Sequence, residues 1–240
     1  MFKTAFKRAF GALGYSIHKS DSSRDFTMGA ALARCKKRGV KVGTVVDVGA
    51  SNGSWSAECM KHFPDANYLL IEAQQAHQPA LENFIKGKPG VSYVIAAAGR
   101  TEGRIFFDNS DLLGGLASET PLEGKHIEVP VVPIDIELKK RGLPGPYLIK
   151  LDTHGFEVPI LEGAAQSIKD ASLVIIETYN YRLTNDSLRY FEMCQFMKDR
   201  GFLPIELVDL ILRGRDNSLW QMDTFFISSN SNEFKHQTFD

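Results

Sequence analysis

The segment Val45–Trp55, VVDVGASNGSW, constrains the fold more than any other part of the chain. Its first two valines lead into an acid and then into a turn that contains two glycines. A segment with helical spacing of apolar residues follows, from Trp55 to Phe63. A strand, a tight turn and a helix in this order are typical of the first β-α-β unit of an α/β sheet, and such a sheet opens to a ligand at that turn.

The residues of this turn favour a cationic ligand over a dinucleotide. The dinucleotide fingerprint G-x-G-x-x-G requires glycines where this chain has Ser51 and Ser54, so the match fails. An acid at the strand end favours a positively charged group instead, and S-adenosyl-L-methionine carries an ammonium and a sulfonium. A short structural turn without a ligand is the alternative. The predicted cofactor contacts of the turn are Asp47, Gly49, Ala50, Ser51, Asn52 and Gly53.

Length and composition favour one α/β domain, because 240 residues with 43% hydrophobic content can bury one sizeable core. The 28 basic and 29 acidic side chains give a net charge of −1, so charge gives no reason to expect nucleic acid as a partner. The three cysteines are widely separated, which favours a reducing compartment and a cytoplasmic location. The spacing of histidines and cysteines predicts no metal site.

The next strand, Asn67–Ile71, ends in Glu72. The separation from Gly49 is 72 − 49 = 23 residues, close to the ~20 expected between a glycine-rich turn and a ribose-binding acid. A carboxylate there can accept hydrogen bonds from both ribose hydroxyls, and we expect Ala73 to line the same site. An exposed acid at a strand end is the alternative.

A third strand is predicted over Val91–Ala97, with the adenine placed against its end at Ala97. The alanines there provide no acid for the adenine amino group, so backbone contacts would have to replace one. Residues 108–126 form a long polar stretch between two segments of strand character. Long loops inside compact domains are usually functional or disordered, so we interpret this one as an inserted substrate lid or a surface loop.

A second motif, YLIKLDTHGFEVPILEGA, begins at Tyr147. Its apolar strand ends in Asp152, Gly155 allows a turn, and Glu157 opens a helix, where an acid interacts well with the helix dipole. Because the carboxyl ends of parallel strands share one sheet edge, we expect Asp47, Glu72 and Asp152 to surround one cationic cofactor.

These two motifs together resemble the FkbM family of S-adenosylmethionine-dependent methyltransferases, over about Val42 to Ser228. The resemblance implies a Rossmann-like class I methyltransferase fold, with a seven-stranded, mostly parallel sheet and an antiparallel last strand. It also implies O-methylation, often of sugars. The second family motif, K-x-D-x-x-G-x-E-x-x-x-L-x-G-A, matches at Lys150, Asp152, Gly155, Glu157, Leu161, Gly163 and Ala164.

Methyl transfer to a hydroxyl benefits from a base, by about 10²–10⁴-fold. Asp152 is the first candidate, as a base or as the group that orients the hydroxyl, and His154 is the second. The family more often has other polar residues at the position of His154. Binding of the cofactor's ammonium, or capping of the turn, is the alternative role for Asp152. Nothing in the spacing demands a metal, although clustered carboxylates also suit Mg²⁺.

The predicted acceptor site follows another strand, where Glu177, Tyr179 and Tyr181 combine a carboxylate with aromatic faces that can bind a small-molecule or glycan acceptor. Packing of these aromatics is the alternative. Two other functions stay open: a non-catalytic cofactor-binding partner in a biosynthetic assembly, and an NAD-dependent oxidoreductase.

The chain divides into an amphipathic helix and linker at residues 1–25, a methyltransferase domain at 26–228 and a polar tail at 229–240. The apolar stripe of the first helix suits docking on the domain or on a second copy in a homodimer. Weak contact with a membrane surface through residues 1–19 is the other interpretation, which would make the protein membrane-peripheral. The stripe consists of Phe2, Phe6, Phe10, Leu13 and Ile17.

Overall fold

The structure is a computed structural model that describes residues 25–122, 124 and 126–239. The helix predicted for residues 1–19 lies outside the described residues, so its contacts stay a prediction. Among the described helices, none is long and apolar enough to cross a membrane. The α-helices are α1 (Met28–Lys37), α2 (Ser54–Met60), α3 (Gln78–Ile85), α4 (Ile134–Arg141), α5 (Glu157–Glu162) and α6 (Tyr190–Lys198).

The strands form two sheets. The main sheet has the order β10-β11-β9-β8-β1-β2-β3, and the second has the order β4-β7-β5-β6. The first six strands are β1 (Thr44–Val48), β2 (Asn67–Glu72), β3 (Val91–Ile95), β4 (Ala97–Ala98), β5 (Gly103–Asp108) and β6 (Leu116–Ser118). The others are β7 (Ile127–Val132), β8 (Tyr147–Leu151), β9 (Ala171–Tyr179), β10 (Phe202–Leu212) and β11 (Leu219–Ser228).

The main sheet confirms the predicted architecture. Strands β3, β2, β1, β8 and β9 run parallel, and the last strand, β11, is antiparallel to both of its neighbours. Strand β1 lies at the centre, with β2 on one side and β8 on the other. The strand order therefore reverses next to β1, and the crevice at the carboxyl ends of these strands is the expected ligand site.

Helices cover both faces of the main sheet because its central strands are apolar on both faces. Val45 of β1 belongs to one core cluster, whereas Val46 and Val48 belong to the other. The first cluster includes residues of α1, α2 and α3, and the second includes residues of α4, α5 and α6. This alternation follows from the period of two along a strand.

The predicted third strand is corrected by the structure. Strand β3 ends at Ile95, and Ala97–Ala98 pair with β7 of the second sheet. The break falls at Ala96, whose N–H donates to the carbonyl of Glu72 at 2.8 Å before the chain leaves the main sheet. Consecutive alanines provide no alternation of large and polar side chains, so the sequence carries no mark of this break.

The long loop predicted for residues 108–126 also contains a strand. Leu116–Ser118 pair with β5 in antiparallel register as β6. A strand of three residues is too short for a period of two to be recognised. The second sheet carries residues 109–115 to the ligand edge of the main sheet, where several of them line the cavity described below.

Candidate active site

A cavity of about 550 Å³ opens at the carboxyl ends of β1, β2, β8 and β9. Its volume and position are those of a small-molecule site in an α/β sheet. Its walls come from the main sheet, the second sheet and residues 109–115. Of the residues predicted for the site, those that line the cavity are Gly49, Ser51, Glu72, Ala73, Ala97, Asp152, His154 and Glu177.

Gly49 allows the turn after β1 to approach the turn after β8. It has a φ of +75°, and a Cβ built on it would lie 2.1 Å from the carbonyl oxygen of Asp152. The Asp152 N–H donates to the carbonyl of Val48 at 3.1 Å, which holds the two turns together. Only glycine satisfies both the backbone conformation and the close approach.

Besides Asp47, which is described below, three predicted cofactor residues of the turn do not line the cavity. Ala50 is buried in the core cluster that contains Val45. Asn52 accepts a hydrogen bond at Oδ1 from the Ser54 N–H at 3.0 Å, at the start of α2. Gly53 has a φ of +84°, and a Cβ there would lie 2.8 Å from the Phe84 ring. These residues shape the turn and do not reach the cavity.

Glu72 joins the first turn to the end of β2. Its Oε2 accepts from the Ser51 N–H at 2.7 Å, and its Oε1 accepts from the Gln74 N–H at 2.8 Å. The side chain is buried yet lines the cavity. A carboxylate has about four lone-pair sites, so each oxygen can still accept a further hydrogen bond from a ligand hydroxyl.

Asp47 differs from the expectation that three carboxylates face one ligand. It is 0% exposed and does not line the cavity. Its Oδ2 accepts from Ser56 Oγ at 2.7 Å, and its Oδ1 lies 3.5 Å from Lys150 Nζ. Asp47 therefore supports the site from within the core.

Lys150 links Asp47 to Asp152. Asp47 and Lys150 are direct neighbours in the register of β1 and β8, and Lys150 Nζ donates to Asp152 Oδ2 at 3.0 Å. Burial lowers the pKa of Lys150, but the charges of Asp47 and Asp152 outweigh it and raise the pKa above its ordinary value. Lys150 therefore remains an ammonium in the core, and its charge holds Asp152 in place.

Asp152, His154 and Glu177 converge at the cavity wall. His154 Nε2 lies 3.6 Å from Asp152 Oδ1 and 3.4 Å from Glu177 Oε2. His154 Nδ1 lies 3.3 Å from the carbonyl oxygen of Gly115, which can only accept, so this nitrogen carries the proton. His154 has a φ of +51°, an uncommon conformation for a residue other than glycine, and such conformations cluster at functional sites.

The two carboxyl groups of this cluster have pKa values that are shifted in opposite directions. Burial favours the neutral form of Asp152, but Lys150 outweighs burial and lowers the pKa of Asp152. Burial, together with the charge of Asp152, raises the pKa of Glu177 to about 8. Asp152 therefore gives up its proton more readily than Glu177.

The predicted acceptor residues Tyr179 and Tyr181 do not line the cavity. The Tyr179 hydroxyl donates to Glu177 Oε2, and Gln221 Nε2 donates to Glu177 Oε1. Tyr181 stacks on Trp220 with ring centroids 5.2 Å apart. Tyr179 therefore orients Glu177, while Tyr181 belongs to a packed aromatic pair.

Residues 109–115 are held against the site at two points, at Asp111–Leu112 and at Gly115. Gln74 Nε2 donates to the carbonyls of Asp111 and Leu112 at 2.9 and 3.1 Å, and His77 Nε2 lies 2.9 Å from the same Leu112 oxygen. At the other end, Gly115 accepts from His154. The loop thus spans from the residues that follow Glu72 to the Asp152–His154–Glu177 cluster.

Sequence reasoning did not assign roles to Lys150, Gln74 and Gln221. Lys150 carried a signal, because a single lysine in an apolar strand needs a buried carboxylate as its partner. Gln74 and Gln221 carried none, since their roles depend on contacts between distant segments.

A comparison with known protein families supports the interpretation of this geometry. The family described as "Methyltransferase FkbM domain" matches residues 47–204, which is more than half of the chain. The chain belongs to this family. The match begins at Asp47 and includes both motifs of the FkbM resemblance, and S-adenosyl-L-methionine is the cofactor of this family of methyltransferases.

Solved structures resemble this FkbM protein to different degrees. The methyltransferase FkbM from Methylobacillus flagellatus KT is 19% identical, with a TM-score of 0.51, over 77% of this chain and 43% of that chain. The present chain thus spans less than half of that protein's length. The precorrin-6y C5,15-methyltransferase from Geobacter metallireducens GS-15 is 14% identical, with a TM-score of 0.44, over 82% and 86% of the two chains. Among curated proteins no match is found.

The residues of the cavity fit S-adenosyl-L-methionine. Glu72 presents a carboxylate with free lone pairs for the ribose hydroxyls at one end of the crevice. Ala73 and Ala97 line the wall where the flat adenine would lie, and Phe107 adds an aromatic surface. The ionised Asp152 supplies negative charge on the far side of β1, where the cationic end of the cofactor would lie.

Proposed function

We propose that this FkbM protein is an O-methyltransferase that acts on a hydroxyl group of a sugar or glycan. When bound, S-adenosyl-L-methionine supplies an electrophilic methyl group. The observation that carries the proposal is the convergence of Asp152 Oδ1, His154 Nε2 and Glu177 Oε2 at the cavity wall. These three atoms can accept hydrogen bonds from an acceptor hydroxyl, and Asp152 or His154 can take up its proton as the oxygen attacks the methyl group.

The site positions the two reactants on either side of the central strand. Glu72, at the end of β2, binds the ribose, while Asp152 and His154, after β8, bind the acceptor hydroxyl. Since β2 and β8 flank β1, both groups face the same crevice. Alignment of bound reactants is worth about 7–11 kcal/mol in favourable cases, so this positioning would provide most of the acceleration.

The polar side chains of the acceptor end suit a molecule with several hydroxyl groups. Thr153 and Gln221 line the cavity beside the Asp152–His154–Glu177 cluster, and together they offer both donors and acceptors. A carbohydrate can satisfy such a set at several hydroxyls at once. The loop 109–115 covers the same cavity and would exclude water from the bound pair.

The oxidoreductase alternative is disfavoured by the hydrogen bonds of the first turn. A dinucleotide pyrophosphate binds to free N–H groups at a helix N-terminus. Here most N–H groups of the turn that leads into α2 already donate within the protein, and α2 has only seven residues. The engaged N–H groups belong to Gly49, Ala50, Ser51, Gly53 and Ser54.

Incubation with methyl-labelled S-adenosyl-L-methionine and a panel of saccharides tests the proposal. We expect the label on a carbohydrate oxygen with the wild type and with Glu102→Gln, which changes an exposed acid outside the site. We expect a loss of about 10²-fold or more with Asp152→Asn. Label on nitrogen or carbon would overturn the proposal. Equal function of the wild type and Asp152→Asn in cells would also overturn it, and would favour the role of a non-catalytic partner.

A further inference from the structure

Asp152, His154 and Glu177 form a group whose geometry resembles a set of metal ligands. One possible ligand atom from each of the three residues lies within 4.8 Å of the other two. All three side chains are partly exposed and line the cavity, so the group is open to a ligand from one side. We propose that this group binds a divalent transition-metal ion, with Mn²⁺ and Zn²⁺ as the best chemical matches.

The orientation of the three side chains supports this inference. Because His154 Nδ1 donates to the Gly115 carbonyl, Nε2 presents a lone pair to the two carboxyl groups. Three atoms with lone pairs therefore point toward one region, at separations of 3.4 and 3.6 Å from Nε2. For bonds of about 2.1 Å, ligand atoms lie about 3.0 Å apart around an octahedral ion and about 3.4 Å apart around a tetrahedral one.

Each ligand is also fixed through its second polar atom, as metal ligands usually are. Lys150 holds Oδ2 of Asp152 and leaves Oδ1 facing the group. Gln221 donates to Oε1 of Glu177, and the Tyr179 hydroxyl takes one lone pair of Oε2 and leaves the other toward the group. The Gly115 carbonyl accepts from Nδ1 of His154. This arrangement orients the ligand atoms before an ion arrives.

The charges of the region favour a cation. Lys150 is shared between Asp47 and Asp152, so a single positive charge faces two carboxylates before Glu177 is counted. The donor set contains one imidazole and two carboxylates. Imidazole suits transition metals and carboxylate suits Mn²⁺ and Mg²⁺, so the mixture favours the former class over Mg²⁺.

This inference deepens the proposed function and rests on it only for the role of the ion. An ion bound by three protein ligands keeps coordination positions open toward the cavity, where the acceptor oxygen can bind. Its charge would lower the pKa of the acceptor hydroxyl, and the proton would leave to water. In that state His154 is a ligand and does not itself take up the proton.

The site is tested by titrating the purified chain with Mn²⁺ and measuring the concentration of free ion by electron paramagnetic resonance. We expect one ion per chain in the wild type, and at least about tenfold weaker binding in His154→Gln and in Glu177→Gln. Glu102→Gln and His236→Gln remove an exposed carboxylate and an exposed imidazole elsewhere, so they should bind like the wild type. Circular dichroism confirms that each variant is folded. Gln221→Met is a further variant, which removes the hydrogen bond to Oε1 of Glu177 but keeps all three ligands.

Equal affinity in all variants, or no binding at millimolar Mn²⁺, would overturn the inference. The titration contains neither cofactor nor acceptor, so such a result would leave the proposed methyl transfer untouched. Conversely, a chain that binds Mn²⁺ at these residues but methylates no hydroxyl would overturn the proposed function and leave the ion site in place.

Discussion

The Ser51 backbone N–H donates to Oε2 of Glu72 at 2.7 Å, so the turn after β1 and the acid that ends β2 are one structural unit. The Gln74 N–H holds the other oxygen of the same carboxylate at 2.8 Å. The position of the carboxylate that we propose to bind the ribose is thus set by backbone atoms. We therefore expect a replacement of this acid to affect both cofactor binding and the turn.

The first prediction concerns Glu72→Gln. The variant replaces the carboxylate with an amide, which accepts hydrogen bonds only at its oxygen. It therefore lacks a charged acceptor for the ribose, and its NH₂ group faces one of the two backbone N–H donors. We expect the affinity for S-adenosyl-L-methionine, measured by calorimetry, to fall by about 10–100-fold, since a hydrogen bond to a charged group contributes about 1.5–3 kcal/mol. Glu102→Gln is the matched control, and an unchanged affinity in Glu72→Gln would remove the ribose assignment.

The second prediction compares two glycines with positive φ. In Gly49→Ala the new Cβ meets the Asp152 carbonyl at 2.1 Å, whereas Gly39→Ala, at a φ of +86°, meets nothing within 4 Å. Both variants carry the conformational cost of about 1–2 kcal/mol. Gly49→Ala adds about 1–3 kcal/mol from overpacking.

Urea denaturation measures the difference between these two variants, and calorimetry measures cofactor affinity. Only Gly49→Ala should also lose cofactor affinity, because its clash displaces the turn that carries Asp152. Equal losses of stability in both variants would contradict the inferred contact between the two turns.

The third prediction is that Lys150→Met destabilises the fold by about 3–5 kcal/mol, because it leaves Asp47 buried without its cation. Adding Asp47→Asn to the same chain removes the orphaned charge and should recover part of the loss. Lys86→Met, at an exposed lysine, is the control and should change little. Chemical denaturation of the wild type, the two single variants Lys150→Met and Asp47→Asn, the double variant and the control checks this. Additive losses in the double variant would show that the two residues act independently.

The fourth prediction concerns the attachment of the loop. Gln74→Leu removes the donor to the Asp111 and Leu112 carbonyls, while Gln75→Leu changes the exposed neighbour. We expect faster amide hydrogen exchange at residues 109–115 in Gln74→Leu and wild-type exchange in Gln75→Leu. The same exchange rates in all three proteins would mean that Gln74 does not hold the loop.

The fifth prediction links stability to pH through Glu206. Burial favours its neutral form, but hydrogen bonds from Arg34 and Arg38 outweigh burial and lower the pKa of Glu206 in the folded state. In the unfolded chain the pKa of a glutamate is about 4.3. Because the pKa of Glu206 is lower in the folded state, the ionised group stabilises the fold at pH values above about 4.3, and this contribution is lost as the pH falls through the folded-state pKa.

Glu206→Gln should therefore cost about 1–3 kcal/mol at pH 7, and the difference from wild type should shrink as the pH falls below about 4. Unfolding curves recorded from pH 7 to pH 3 measure this difference. A constant difference over that range would contradict the ionic origin of the contact.

The main sheet was predictable because β1, β2 and β8 are mostly apolar runs that end in, or next to, an acid or a glycine. The carboxyl ends of parallel strands lie at one edge of a sheet, so Glu72 and Asp152 could be placed together from the sequence alone. Asp47 could be placed near the same edge, but the sequence did not indicate that its side chain points into the core. Its direction depends on Lys150, which is 103 positions later in the chain (150 − 47) and becomes a neighbour only through sheet register.

The second sheet was less predictable because its strands are short and pair across distant segments. Ala97 and Ala98 carry no pattern, and their partner Val131 lies beyond the long loop. The contacts of Tyr179 and Tyr181 depend on β11, so their positions outside the cavity could not be read from the strand that carries them.

The closure of the loop 109–115 by the Asp108–Leu116 pair of β5 and β6 gives it the character of an exchangeable cassette. Its two ends are fixed by a strand ladder that contributes nothing to the main sheet. The side chains at the tip of this loop can therefore be randomised in a library while the main sheet, with Glu72 and Asp152 at its edge, is inherited unchanged.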